Sequence, residues 1–111
     1  MNVNSLITTA LSSTSLPVVA DVYDGTANQY IVFNYADERP VVRADDLDLI
    51  DETSVQIHYY TRTNPLALKK EIRRLIRDAG FTIQSTQQFY ETDTKFHHVV
   101  IEAWIEGAID D

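Results

Sequence analysis

The sequence predicts an α+β fold: a single domain, residues 1–111, in which a largely antiparallel β-sheet is covered by two helices. Three observations carry this expectation. Apolar residues recur at helical spacing in two segments, 4–13 and 65–79. Between and after them, stretches rich in aromatic and β-branched residues alternate in polarity with the period of a strand. At 111 residues one core suffices, and a composition 44% hydrophobic and 23% charged lies within the globular range.

The first helix is expected over residues 4–13, because Leu6, Ile7, Ala10 and Leu11 share a face and Asn4 is a good N-cap. The Ser-rich stretch before Pro17 ends it. PVVADVY, residues 17–23, reads as a weak strand, DGTANQ as a turn, and YIVFNY, residues 30–35, as a second strand pairing antiparallel with the first. Residues 36–53 then carry seven carboxylates against two Arg. This connection exceeds most loops of compact domains, so it is either an extended functional loop or a hidden hairpin using Val41, Val42, Leu47 and Leu49. In SVQIHYYTR, Val55, Ile57 and Tyr59 alternate with Gln56, His58 and Tyr60, giving a strand with one apolar face.

The second helix carries start and stop signals. Asn64 serves as N-cap with Pro65 at the first helical position, and Gly80 is suited to the left-handed residue of a Schellman ending in which Phe81 touches Ile76. Leu68, Ile72, Leu75, Ile76 and Ala79 form one stripe, with Lys69, Lys70, Arg73, Arg74 and Arg77 on the opposite arc. FTIQSTQQF alternates Phe81, Ile83 and Ser85 with Thr82, Gln84 and Thr86. YETDT makes a turn, and KFHHVVIEAWIEG makes a long last strand with His97, Val99, Ile101, Ala103 and Ile105 facing the core.

Several chemistries find no support in these residues. Without cysteine there is no disulfide, thiolate zinc site or Cys nucleophile. Glycine stands only at 25, 80 and 107, which excludes a P-loop or dinucleotide fingerprint, and no G-x-S-x-G elbow occurs. His97 and His98 are adjacent on a strand and point to opposite faces, so they do not share one metal. A site from His58, one of that pair and Asp93 rests on spacing that any antiparallel sheet can produce. A metal-dependent hydrolase using His58 and His98 is therefore the weaker alternative to ordinary sheet-surface histidines. The run DDLDLIDE lacks the central glycine and alternating ligands of a calcium loop. No catalytic, cofactor-binding or metal site is assigned, and the expectation is a protein that is not an enzyme and needs no cofactor. The N-terminus lacks the positive region of a secretory signal, and no stretch approaches the ~20 apolar residues of a membrane span.

Charge is the distinctive feature. The formal net charge is −8, from seventeen acids against nine Lys and Arg, yet five of the nine cations lie between Lys69 and Arg77. A solvent-exposed face is one reading, since the helix dipole favours cations in later turns. A small nucleic-acid-binding regulator using helix 65–79 is another, although the flanking chain offers no groove-reading motif. A third has this face meet the acidic segment 37–52 of a neighbouring copy, with Asp45, Asp46, Asp48, Asp51 and Glu52 as the complementary pole. The last accounts for both clusters together.

The segments YIVFNYADERPVVRADD, VQIHYYTRTNPLALKKEIRRLIRDAGFT and YETDTKFHHVVIEAWIEG resemble small head-to-tail joining proteins of long-tailed bacteriophages and prophages, most narrowly the tail-terminator or tail-completion family. The likeness runs over residues 22–107 and is one of pattern. It implies an α+β subunit assembling into a homo-oligomeric ring, a hexamer, at the head-proximal end of the tail. The ring would be built in the bacterial cytoplasm and would bind the tail-tube protein on one side and the head connector or stopper on the other, without specific nucleic-acid or membrane binding. Stopper and adaptor rings are the neighbouring alternatives. The resemblance implies an interface role for Lys69, Lys70, Arg73, Arg74 and Arg77.

Overall fold

A computed structural model of the chain describes residues 2–42 and 49–107, with side chains at 2–35 and 51–107. Helix α1 (Val3–Leu11) and a single 3-10 turn (Ser12–Thr14) lead into strand β1 (Val18–Ala20). Strands β2 (Gln29–Val42) and β3 (Leu49–Thr61) form a long hairpin, and helix α2 (Leu66–Asp78) precedes β4 (Thr82–Glu91) and β5 (Phe96–Glu106). One sheet results, in the order β1-β2-β3-β5-β4. Strand β5 is antiparallel to both β3 and β4, so β3–α2–β4 is a crossover with β5 slotted between its strands. This is the α+β architecture expected from the sequence.

Helix α1 starts earlier than the polar residues imply. Its N-cap is Asn2, whose Oδ1 accepts from Ser5 N at 2.8 Å, whereas Asn4 is exposed in the first turn. The shift follows from packing, because Val3 joins Ile7 and Leu11 in a buried i, i+4, i+8 stripe. Helix α2 follows its signals closely. Asn64 Oδ1 accepts from Leu66 N at 3.0 Å, and Lys69 N bonds Pro65 O at 2.8 Å. At the far end Gly80 has φ +106°, with Gly80 N on Arg77 O and Phe81 N on Ile76 O, the two bonds of a Schellman ending.

Three strand expectations need revision. Strands β1 and β2 pair in parallel, Val18 beside Ile31 and Ala20 beside Phe33, where an antiparallel pair was expected. With only three residues in β1, the loop after Ala20 is long enough to double back. Tyr23 braces it, its hydroxyl oxygen accepting from Ala27 N at 3.0 Å. The acidic connection is a hairpin, the second of its two readings: β2 and β3 stay paired as far as Val42 and Leu49, with one register shift between Tyr35 and Asp37. In β4 a bulge at Gln84 interrupts the alternation, so Ser85 stands opposite Glu102 on the other face from Ile83.

One core lies between the sheet and both helices. Ile31 and Phe33 of β2, Val55, Ile57 and Tyr59 of β3, and Val99, Ile101 and Ala103 of β5 pack with Ile7 and Leu11 of α1 and Ile72 and Ile76 of α2. Buried Tyr59 keeps its hydroxyl satisfied by donating to Gln29 Oε1 at 2.8 Å. Both helices lie on this face, and among the described residues no helix covers the opposite face of the sheet.

Candidate functional site

The helix arrangement that buries Ile72 and Ile76 turns the basic arc of α2 outward, but its five cations are not equivalent. Arg74 is held within its own helix, Nη2 at 2.7 Å from Glu71 Oε2 and Nη1 at 3.0 Å from Asp78 Oδ2. Lys69 reaches across to β4 and donates to Gln88 Oε1 at 3.0 Å. Among the described residues Lys70, Arg73 and Arg77 form no ion pair. Arg73 Nε is moreover buried without a hydrogen-bond partner, a donor left unsatisfied in the single chain. The positive pole is therefore narrower than the sequence implies.

Of the negative pole, Asp45, Asp46 and Asp48 lie outside the described residues. Asp51 is exposed, and Glu52 stands between Arg39 on β2 and Glu106 on β5 in the backbone register. Neither Asp51 nor Glu52 makes an ion pair with α2 of the same chain among the described residues. Among the described residues no ion pair joins the two clusters within one subunit.

The uncovered sheet face carries a second constellation, of which sequence reasoning paired only His58 with His98. Tyr23 stacks on Tyr30 at 4.2 Å, Tyr30 on Tyr60 at 4.7 Å, and Tyr60 on His98 at 4.2 Å. Phe96 meets Tyr30 and Tyr60 edge-on, with the Arg62 guanidinium 4.3 Å from its ring centre. Beside this aromatic row runs a hydrogen-bonded chain. Ser85 Oγ donates to Glu102 Oε1 at 2.8 Å, and Gln56 Nε2 donates to Glu102 Oε2 at 3.2 Å. Gln56 Oε1 lies 3.2 Å from His58 Nε2, His58 Nδ1 lies 2.8 Å from His98 Nε2, and His98 Nδ1 lies 3.2 Å from Glu91 Oε2.

Cross-strand register makes this chain. Tyr60 is opposite His98 and His58 is opposite Val100, so the two imidazoles are diagonal neighbours within side-chain reach. His97 points to the other face, beside Tyr90, as strand alternation requires. Asp93 sits exposed in the β4–β5 turn and takes no part; the carboxylate that meets His98 is Glu91. The alternation of Gln56, His58 and Tyr60 against the core face was legible, but which β5 residue faces which was not. No group of three or more His, Cys, Asp or Glu is disposed to hold a metal among the described residues, and no described helix is long and apolar enough to cross a membrane.

Burial lowers the pKa of His58, and repulsion from His98 adds to the effect. Burial also lowers that of His98, although the Glu91 charge and hydrogen bond pull it upward. Tyr60 is shifted upward by burial and then by Tyr30 and Glu91. Both imidazoles are thus harder to protonate folded than unfolded. The unfolded chain takes up more protons below the ordinary histidine pKa of about 6.5, so this contribution to stability is complete above that pH and is lost on acidification. The urea midpoint is expected to fall as pH drops from about 7 to about 5. A His58→Gln, His98→Gln double variant should show a flatter profile over that range; an unchanged profile would contradict the assignment.

No family model and no curated protein matches the sequence. In fold the chain is similar to a chain from a solved structure described as the virion of a native gene transfer agent (GTA) particle. The TM-score is 0.54 at 15% identity, covering 88% of this chain and 84% of the other. At that identity the likeness is one of fold.

Proposed function

We propose that the chain is a non-enzymatic structural protein of a phage-type virion, forming the ring that terminates the tail tube and joins it to the head connector. The observation that carries this reading is fold likeness over nearly the whole chain to a component of a gene transfer agent virion. Charge partition supports it. Among the described residues Lys70 and Arg77 are exposed and Arg73 is half-buried, all without an ion pair, and Asp51 and Glu52 make none with them, so a neighbouring copy can satisfy one cluster with the other. Exposed pairs contribute only ~0.2–1 kcal/mol each. Charge therefore sets register, and apolar contact supplies most of the affinity. Exposed Phe89 and Tyr90 on the edge strand β4, and Leu66 at the start of α2, are available for that contact. A ring of net negative subunits also leaves passing DNA unbound.

Electron microscopy of particles made without the gene tests the proposal. Overlong tails detached from full heads are the expected result. Unattached tails of normal length would instead assign the ring to the stopper or adaptor position, and intact particles would overturn the virion reading.

A further inference from the structure

We infer that the uncovered sheet face receives the basic helix α2 of a neighbouring copy, which supplies the helical layer this face lacks. The inference rests on the ring reading and names the surface that accepts α2. Alternation along β3 and β5 puts Tyr60, His98, Val100 and Trp104 on this face, and ring contacts join Tyr30 and Phe96 to them. Phe89 of the edge strand borders the group, half exposed and 6.1 Å from His98. The solvated face of an antiparallel sheet carries polar side chains. Aromatic rings in this number instead mark the centre of an interface.

Charge selects the occupant. Glu102 and Glu91 stand on the same face, and their partners leave the negative charge in place. Glu102 accepts from Ser85 and Gln56, both neutral. Glu91 accepts from Thr94 and lies beside His98, an imidazole that burial holds against protonation. Arg62 packs on Phe96 and directs its donors to Thr94 O and Asn28 Oδ1 instead. The face is therefore aromatic with unmatched carboxylates, which repels a nucleic acid and attracts a cationic surface. Helix α2 is such a surface: Lys70 and Arg77 are exposed, and neither forms an ion pair among the described residues.

Dimensions agree. Glu91 pairs with Phe96 and Glu102 lies six residues further along β5, about 20 Å at the strand rise. Thirteen-residue α2 is also about 20 Å long. Lys and Arg suit the contact because their aliphatic stems lie along rings while the charged ends reach carboxylates. The core separates α2 from the uncovered face, so each copy gives its helix to one neighbour and takes a helix from another. Such a head-to-tail contact repeats and can close a ring. Pairing two sheet faces, or two α2 helices, would set like charges against each other.

The chain has no cysteine and one tryptophan, which makes both probes specific. Gln87→Cys places a thiol on the exposed edge of the face, opposite Val100, and Ala67→Cys places one on α2 a turn before Lys70. Treated with a short bismaleimide, a mixture of the two variants should give far more linked dimer than either alone. In unaltered protein, Trp104 emission should move to shorter wavelength, and its quenching by iodide should fall, as concentration drives association in sedimentation velocity. A Glu91→Gln, Glu102→Gln double variant, checked for folding by circular dichroism, should self-associate about twofold to thirtyfold more weakly. Linked dimer from Gln87→Cys alone in equal yield, no mixed dimer, or association that leaves Trp104 unchanged overturns the inference. So does a folded double variant that associates as tightly as the original, or a chain that stays monomeric at every concentration. Particles made without the gene judge the ring reading separately, so a failure here is distinguishable from a failure there.

Discussion

Substituting Ile57 by Ala is expected to lower the free energy of unfolding by about 2–5 kcal/mol. Ile57 is fully buried on β3, the middle strand of five, and its register partners are Phe33 on β2 and Ile101 on β5, both also buried. Its side chain lies where the sheet meets the helices, so truncation removes apolar contact and leaves a cavity. Rigid neighbours on both sides limit collapse into that space, which places the cost above simple transfer of the lost carbons. Urea denaturation should show a lower midpoint at unchanged slope. Phe89→Ala serves as the comparison: that ring is half exposed on an edge strand, and its loss should change stability by no more than about 0.5 kcal/mol. Equal effects at the two positions would contradict the described core.

Reversing charge at Lys70, Arg73 and Arg77 together is expected to weaken self-association about tenfold to a thousandfold while preserving the fold. Each reversal exchanges an attraction of ~0.2–1 kcal/mol for a repulsion of similar size. Arg73 adds the buried Nε that finds no partner in the isolated chain. Helix α2 itself should lose little beyond roughly 0.3–1 kcal/mol for a Glu at position 77 beside the negative end of the helix dipole. Arg74→Gln is the matched control, because that guanidinium is already engaged by Glu71 and Asp78. Sedimentation velocity and incorporation into particles read the outcome. Unchanged assembly in the triple variant, or equal loss in the Arg74 variant, would remove the basic face from the interface.

Local signals were the legible part of this molecule. Helix α2 could be read because both ends are specified by neighbours in sequence: Asn64 with Pro65 at one, Gly80 with Phe81 at the other. The faces of β5 could be read because burial alternates without a break from His98 to Trp104. Pairings between distant segments could not. The parallel course of β1 depends on its being only three residues long, and the bulge at Gln84 arises from matching β4 to β5, which no residue of β4 announces by itself. The meeting of His58 with His98 is of the same kind, set by the diagonal register of strands forty residues apart. Arg74 is different. Glu71 and Asp78 stand three and four residues from it, a spacing readable on any helix, so its internal neutralisation was available from the sequence.

The strand order has a kinetic corollary. Hairpin β2–β3 and hairpin β4–β5 each close locally, and such hairpins form in about 1–10 μs. Within the sheet the two hairpins are joined at the seam between β3 and β5, and closing it loops out α2 together with β4. Chain entropy is spent at that seam before its contacts reward it, so Val55, Ile57, Val99 and Ile101 are the positions whose truncation should slow refolding rather than merely hasten unfolding.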